Sequence, residues 1–531
     1  MLQRILFRRF LFLALAAGFL LALSWPARGF PFLAFFAFIP LLWMEDEALT
    51  RRMQIPPVRF FVYTWLAFIV FNLLTTWWIV YATVPGMIVA VFLNSLFMAM
   101  PWVLMHWARR ILPASQGPLP VVVFWLAFEF LHTRWELSWN WLDLGNVFAA
   151  YPAWVQWYEV TGVAGGTLWV LSINILLFLA MKQFLGAYVR RKKARWNALL
   201  ALALFALPSL FSFYLWVTYE EEVRPVSVVI VQPSGEDQAP RQRIREMMAL
   251  ADQRITPDTR FVVAPEGANI QGIWMDEAEG HFAVQMLRQH LDRHPGLIWV
   301  MGSFTYRMLA EDEVPGPTAR PYGDSGRHFE AFNSAFMVEA DQPVQFYHKS
   351  ILVPGIERMP YSGWLKPLEG LVDRFGGITG SLGTQPERRA MVSSEGRIAP
   401  SICYESIYGD FMRSYMHDGA SLLFIITNDS WWRETPGHRQ HMQYARLRAI
   451  ETRRSIARSA STGISAFINQ RGEVIKSSGW WEVTALSATI NMNHTITFFA
   501  RSGNYLGRMA VFLTGLFVLF MASQHIIRRG R

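Results

Sequence analysis

RIAPSICYES, residues 397–406, is a mostly apolar run that closes on the one cysteine in a chain of 531 residues. A lone cysteine ordinarily fills core space as a small hydrophobe, so its surroundings decide whether this one does more. Similar short runs recur on both sides: VSVVIVQP (226–233), RFVVAPEG (260–267), GLIWVMGSF (296–304), SAFMVEA (334–340), VQFYHKS (344–350), SLLFIITND (421–429) and ISAFINQ (464–470). Several are almost continuously apolar, as strands buried on both faces are. Helix-patterned segments separate them at 245–255, 276–294 and 438–454, the last carrying Met442, Ala445 and Ala449 along one side. SSEGR (393–397) and NQRG (469–472) read as hairpin turns. The pattern from 223 to 500 is that of an α/β or α+β sandwich.

Outside this region the composition changes. The whole chain is 53% hydrophobic and 15% aromatic with only 17% charged residues, which is a membrane-protein mixture. Apolar runs near the length of a bilayer crossing lie at about 8–25, 29–44, 58–82, 86–107, 118–133, 161–181 and 197–218, with one more at 507–527. The expected architecture is a multi-pass helical bundle of about eight spans plus one external domain. Its divisions fall at 1–222 for the first seven spans, 223–500 for the external domain, and 501–531 for the closing span and its basic tail. The first run follows Arg4, Arg8 and Arg9 but is longer than a signal-peptide core, so it reads as an uncleaved helix.

Basic residues gather in alternate loops: at the N-terminus, at Arg51, Arg52 and Arg59, at Arg109 and Arg110, in RRKKAR (190–195) and in RRGR (528–531). The loop YATVPG (81–86) has none. Basic residues mark the cytoplasmic side, so both termini are expected inside and the 223–500 domain outside. Topology accounts for much of the net charge of +9; no basic-aromatic module points to nucleic acid. One cysteine cannot close an intramolecular disulfide, so even in an oxidising compartment it is kept as a thiol.

Three polar residues follow apolar strands: Glu266 after FVVAP, Lys349 after VQFYH, and Cys403 after RIAPSI. Strand ends are where α/β folds place reacting groups. A thiol is mostly protonated at neutral pH and needs a base or a positive neighbour to react. Glu266 could take the proton, and Lys349 with the backbone N–H of Tyr404 could hold the oxyanion formed by attack on a carbonyl. The product would be an acyl thioester, and the nucleophile that resolves it sets the enzyme class.

The ordered motifs APEG (264–267), YHKSILVPGIERMP (347–360), ICYES (402–406) and TNDSWW (427–432), followed by RLRAIETRRSIARSASTGISAFI (446–468), resemble the carbon-nitrogen hydrolase (nitrilase) superfamily. With the membrane block, where EFL and SWNWLDLGN add to the likeness, the chain is similar to the membrane-bound apolipoprotein N-acyltransferase family. The resemblance implies an αββα sandwich on a bundle of eight helices, with Glu266 as base, Lys349 as oxyanion stabiliser and Cys403 as nucleophile. It further implies that Glu357 supports the triad and that Tyr404 and Glu405 flank the nucleophile. The implied reaction is ping-pong: an sn-1 acyl chain of a phospholipid, typically phosphatidylethanolamine, passes through the cysteine to the α-amino group of an S-diacylglyceryl-cysteine on a lipoprotein. The implied location is a bacterial inner membrane. No cofactor or metal is expected, and nothing requires a partner subunit. LVPGIERMP departs from the LVPFGEYVP common in the family, and SGEDQAPRQRI after the first strand lacks a tryptophan found in some members.

Other residues carry weaker signals. The stretch 359–377, with Tyr361, Trp364, Leu365, Leu368, Leu371 and Phe375, suits a lid touching lipid or an acyl pocket, with GIWM (272–275) beside it; ordinary core packing is the alternative. Glu129, inside an apolar run, is expected to pair with a neighbouring helix. His438 and His441 have a metal-like spacing without a third ligand. Asn428 and Asp429 are expected to shape the site floor. A membrane-anchored amidase would share the first half-reaction, and a transporter with an accessory domain is disfavoured by the few ionisable residues in the spans.

Overall fold

The computed structural model describes residues 2–27, 29–51, 56–111, 117–185, 190–235, 238–268, 270–361 and 381–529. The chain forms two compact units: Met1–Val80 with Val84–Thr218 and Asn504–Arg531, and Tyr81–Thr83 with Tyr219–Gly503.

Among the described residues of the first unit, six helices are long and apolar enough to cross a membrane: Leu6–Ser24, Pro57–Tyr81, Val84–Ile111, Val163–Leu185, Arg191–Thr218 and Tyr505–Ile527. The other two apolar runs take shorter forms. Residues 29–44 break into a 3₁₀ turn, Pro31–Phe35, and a helix, Ile39–Thr50, each with a proline in its first turn. Asn174 stabilises the break, accepting from Phe38 N at 2.9 Å and donating to Ala34 O at 2.8 Å. Residues 118–133 form the 13-residue helix Pro120–His132, after which the chain folds through short 3₁₀ turns between Asn140 and Trp154. Glu129 organises this return. Its carboxylate accepts from Trp125 Nε1 (2.8 Å), Leu144 N (2.8 Å) and Thr167 Oγ1 (2.7 Å). The buried carboxylate is therefore paired with three donors, one of them on the neighbouring helix Val163–Leu185.

The second unit is a two-sheet sandwich. The first sheet runs β14-β1-β2-β4-β6-β5, with β3 on β4 and β7 on β6; these strands are β1 Pro225–Gln232, β2 Thr259–Val263, β3 Ile273–Trp274, β4 Ile298–Met308, β5 Arg320–Pro321, β6 His328–Glu339, β7 Gln345–His348 and β14 Thr484–Asn491. The second runs β13-β12-β11-β10-β9-β8, with β8 Met391–Ser393, β9 Gly396–Ile402, β10 Leu422–Thr427, β11 Ile456–Ala460, β12 Ala466–Ile468 and β13 Val474–Ser477. The central strands are parallel: β1, β2 and β4 in one sheet, β9, β10 and β11 in the other.

Their continuous apolar sequences follow from burial on both faces. Val229, Val231, Val262, Trp299 and Met301 pack with Ile244, Met247, Val284 and Leu287 of helices α1 (Pro240–Asp252) and α2 (Phe282–Arg293). The alternating residues Val228, Ile230, Phe261 and Val263 are also buried, and Phe261 meets Phe424 of β10 edge-on at 5.2 Å, joining the two sheets. Each such side chain removed from water stabilises the sandwich by about 1.5–3 kcal/mol. A third helix, α3 (Pro436–Thr452), is capped by Thr435, whose hydroxyl accepts from Gly437 N, and packs beside the turn that follows β9.

Candidate active site

Three strand ends converge. Ala264 N donates to Val300 O at 2.8 Å, extending the β2–β4 ladder one step before Glu266 leaves it. Gly302 of β4 lets the loop pass close: a Cβ there would lie 2.6 Å from Glu266 Cα. Lys349 follows β7, its N–H donating to Asn333 O on β6 at 2.8 Å. Cys403 follows β9 and opens the 3₁₀ turn Cys403–Ile407 with φ of 51°. That left-handed conformation is costly for a residue with a side chain. It ends the strand abruptly and turns the thiol out of the ladder.

The side chains meet around a cavity of about 270 Å³ whose lining includes Glu266, Asn333, Lys349, Glu357, Cys403 and Asn428. Lys349 Nζ donates to Glu357 Oε1 at 2.8 Å and to Glu266 Oε1 at 3.3 Å. Asn333 Nδ2 donates to the same two oxygens, at 2.8 and 2.7 Å. The remaining carboxylate oxygens accept backbone N–H groups, Glu357 from Val353 (2.8 Å) and Glu266 from Asn428 (3.1 Å). Burial disfavours the Lys349 ammonium, but Glu266 and Glu357 more than offset it and hold its pKa above the ordinary lysine value. Burial pushes the Cys403 thiol up, and Glu266 pushes the same way against Lys349. Burial and Glu266 thus favour the protonated thiol over the thiolate in the resting site.

Glu405 does not line the cavity; it ties two of the strand ends together. Its Oε2 accepts Ile402 N at 2.8 Å, while its Oε1 accepts Ser350 N (2.6 Å), Ile351 N (3.3 Å) and Tyr347 Oη (2.7 Å). One carboxylate therefore fixes the β7–Lys349 turn against the base of Cys403. Burial pushes its pKa up to about 7. The Tyr404 ring is buried against Tyr408, whose hydroxyl donates to Tyr404 Oη at 2.9 Å, and Tyr404 is not among the residues that line the cavity.

One partner, Asn333, was not singled out from the sequence. Asn333 sits inside β6 opposite Phe304, next to Ser334 in a strand of mixed composition. Next to Cys403, Asp429 accepts from Arg458 at 2.7 Å and lies 3.1 Å from His441 Nδ1, while His441 Nε2 reaches Cys403 O at 3.1 Å. Ser406 Oγ donates to the same carbonyl at 2.8 Å. Asp429 is held below the usual carboxylate range by Arg458 and His441 in spite of burial.

The cavity mouth is aromatic. Phe304 and Trp431 line it and are 44% and 47% exposed, with Trp432, Ile356 and Leu382 beside them. Trp364, Leu365, Leu368, Leu371 and Phe375 lie outside the described residues; Tyr361 is exposed. Trp274 of the GIWM segment packs with Tyr306, Tyr322 and Phe329 and is absent from the cavity lining. His438 and His441 diverge, His438 packing on Trp480 with ring centroids 4.1 Å apart. Asp252, His290 and His294 bring three potential ligand atoms together. However, the Trp299 indole N–H, a donor only, lies 3.3 Å from His290 Nδ1, which directs the proton on His290 Nε2 to Asp252 at 2.7 Å. That set reads as a hydrogen-bonded link between α1 and α2.

With this geometry, the relation to known proteins can be read. Residues 227–498 match the carbon-nitrogen hydrolase family model, and residues 17–176 match the model of the apolipoprotein N-acyltransferase N-terminal domain. The chain belongs to the carbon-nitrogen hydrolase family, in its membrane-bound apolipoprotein N-acyltransferase branch. Relatives in that branch match nearly end to end. An apolipoprotein N-acyltransferase of Chlorobaculum tepidum is 29% identical over 98% of both chains. One of Geobacter metallireducens is 25% identical over 94% of this chain and 92% of its own. One of Thermotoga maritima is 23% identical over 95% and 92%. Apolar spans and a carbon-nitrogen hydrolase domain in one chain make this a membrane enzyme.

Proposed function

We propose that the protein transfers a fatty acyl chain from a phospholipid, with phosphatidylethanolamine as the expected donor and its sn-1 chain as the group moved, to the N-terminal α-amino group of an S-diacylglyceryl-cysteine lipoprotein. Glu266 accepts the Cys403 proton as sulfur attacks the ester carbonyl. Lys349 and the Tyr404 N–H stabilise the oxyanion, and Glu266 returns the proton to the departing lysophospholipid oxygen. The thioester is then attacked by the acceptor amine, whose proton goes to Glu266 and from there to the released thiolate. Glu357 and Asn333 hold Lys349 and Glu266 in register. The domain acts on the external face of a bacterial inner membrane with both termini cytoplasmic, as the alternation of basic loops suggests.

The observation that carries this reading is the Lys349 ammonium bonded to Glu266 and Glu357 in the cavity that Cys403 lines. A hydrolytic amidase could share that triad. The exposed Phe304 and Trp431 at the mouth favour a lipid donor and a dry thioester over a small soluble amide.

The test is intact-mass spectrometry of the purified protein and its Cys403→Ser variant after incubation with phosphatidylethanolamine alone. A hydroxylamine-labile fatty-acyl adduct on the wild type only, discharged by a diacylglyceryl-cysteine peptide that becomes N-acylated, is the expected result. An untouched lipid and an unmodified protein would overturn the lipid assignment.

A further inference from the structure

The backbone carbonyl of Cys403 is held by side chains to which the proposed mechanism gives no part. Ser406 Oγ donates to it at 2.8 Å, and His441 Nε2 lies 3.1 Å from it. A carbonyl oxygen can only accept, so the ring nitrogen that faces it carries a proton. The ring is fixed at its other nitrogen: Nδ1 lies 3.1 Å from Asp429 Oδ1 and 3.2 Å from Arg458 Nη2, and Arg458 Nη2 donates to Asp429 Oδ2 at 2.7 Å. His441, Asp429 and Arg458 are all fully buried, and they come from α3, the turn after β10, and β11. A buried ion pair adds little to stability over apolar residues of the same volume. One placed behind a single backbone oxygen points to a need for direction.

That oxygen belongs to the peptide that joins Cys403 to Tyr404. The peptide is trans, and in a trans peptide the C=O and the N–H share a plane and point in opposite directions. Holding the carbonyl toward His441 therefore aims the Tyr404 N–H to the opposite side. The same hold keeps Cys403 at its φ of 51°, a conformation that persists only where the surroundings fix it. Hydrogen bonds accepted by the carbonyl also polarise the peptide and strengthen its N–H as a donor. We infer that His441 is a positioning residue that acts through the Cys403–Tyr404 peptide, clamping its carbonyl together with Ser406 so that the Tyr404 N–H points at the oxyanion. The inference rests on the proposed attack of Cys403 on an ester carbonyl with that N–H as an oxyanion donor. His441 touches no reacting atom and keeps its Nε2 proton throughout. Asp429 and Arg458 set the direction of the ring.

Using p-nitrophenyl butyrate as acyl donor for the full-length protein in detergent separates this role from the identity of the lipid. In that step the Cys403 sulfur bonds to the butyryl carbon, the ester C–O bond breaks, p-nitrophenolate leaves and the thiol proton goes to Glu266. The burst of p-nitrophenolate gives the rate of acylation. Iodoacetamide is the control, because it alkylates the same thiol, that of the one cysteine in the chain, without forming an oxyanion. His441→Phe keeps a ring and loses the donor. Its acylation should be roughly tenfold or more slower, because a misdirected donor forfeits part of the hundredfold or so that an oxyanion donor supplies, while its alkylation stays near the wild-type rate. His441→Gln, whose amide N–H extends toward the same carbonyl, should recover most of the loss. Ser406→Ala should show the same split with a smaller loss, and it carries the comparison if His441→Phe does not fold. Unchanged acylation overturns the role of His441, as does a parallel change in acylation and alkylation, which a general loosening of the site would produce. No burst from the wild type overturns attack by Cys403 and the inference with it. A burst from the ester without an adduct from phosphatidylethanolamine overturns the lipid donor alone and leaves the ester rates to decide His441.

Discussion

Replacing Glu405 with glutamine tests the tie between the strand ends, because the substitution keeps shape and changes only charge and donor pattern. The carboxylate accepts three backbone N–H groups and one hydroxyl. An amide offers one oxygen and one NH₂, so whichever way it turns, a buried backbone N–H faces another donor, at a cost of about 1–3 kcal/mol. Against this stands the charge. Glu405 is pushed from 4.5 up to about 7 by burial, so the folded protein binds its proton more tightly than the unfolded chain. The associated stability is complete below pH 4.5 and is lost as pH rises through 7; the difference of 2.5 units is about 3 kcal/mol. Glutamine removes this dependence. The variant should accordingly be clearly less stable than the wild type at pH 5 and close to it at pH 8, a change of about 2–3 kcal/mol in the gap between them. Urea midpoints read by exposure of Cys403 to a thiol reagent report the unit that holds it, since the sequence has no other cysteine. Turnover should fall about a hundredfold at pH 8, where stability is nearly matched, because release of the Ser350–Ile351 turn shifts Lys349 from the oxyanion position. Wild-type turnover in Glu405→Gln, or a stability gap flat between pH 5 and pH 8, would refute the tie.

Lys349→Met leaves Glu266 and Glu357 facing each other through Asn333 without their cation, and should cost about 3–5 kcal/mol in the same urea assay; adding Glu357→Gln should recover part of that stability while acyl transfer stays absent. Gly302→Ala puts a methyl 2.6 Å from Glu266 Cα, and the forced shift should cost about 1–3 kcal/mol and lower kcat with KM little changed in steady-state kinetics. Asn333→Leu removes a donor from each of two carboxylates and should slow acyl transfer by roughly tenfold or more, measured as thioester formation by mass spectrometry.

The sandwich was legible because burial on both faces of a strand leaves a trace that needs no knowledge of neighbours: an apolar run with turns at its ends. Glu266, Lys349 and Cys403 stood out because each interrupts such a run where it stops. Asn333 did not, since an amide within a strand has meaning only once register is known. Asn333 matters because β6 pairs with β4 and β7, which bring it beside the Glu266 and Lys349 strand ends. The membrane unit makes the same point. The run 29–44 carries two prolines within an apolar length, and hydropathy alone does not say whether a proline bends a span or divides it. The division is stabilised by Asn174, far along the chain, whose amide supplies the donor and acceptor that the broken helix lacks.

Under the mechanism we propose, the arrangement also explains why Cys403 rests as a neutral thiol. A permanently ionised sulfur beside Glu266 would place two anions around one ammonium already shared with Glu357. Burial and Glu266 keep the proton on sulfur until a substrate carbonyl is present to receive the charge, so the anion forms only as the oxyanion site is occupied. On that proposal Lys349 would then be free to stabilise the developing oxygen charge, which exists in the transition state and not before it, and interactions of that kind are the ones that raise kcat. In the proposed mechanism the two carboxylates are then not redundant: Glu266 would move the proton, and Glu357 would hold the ammonium in place while Glu266 is neutral and unable to.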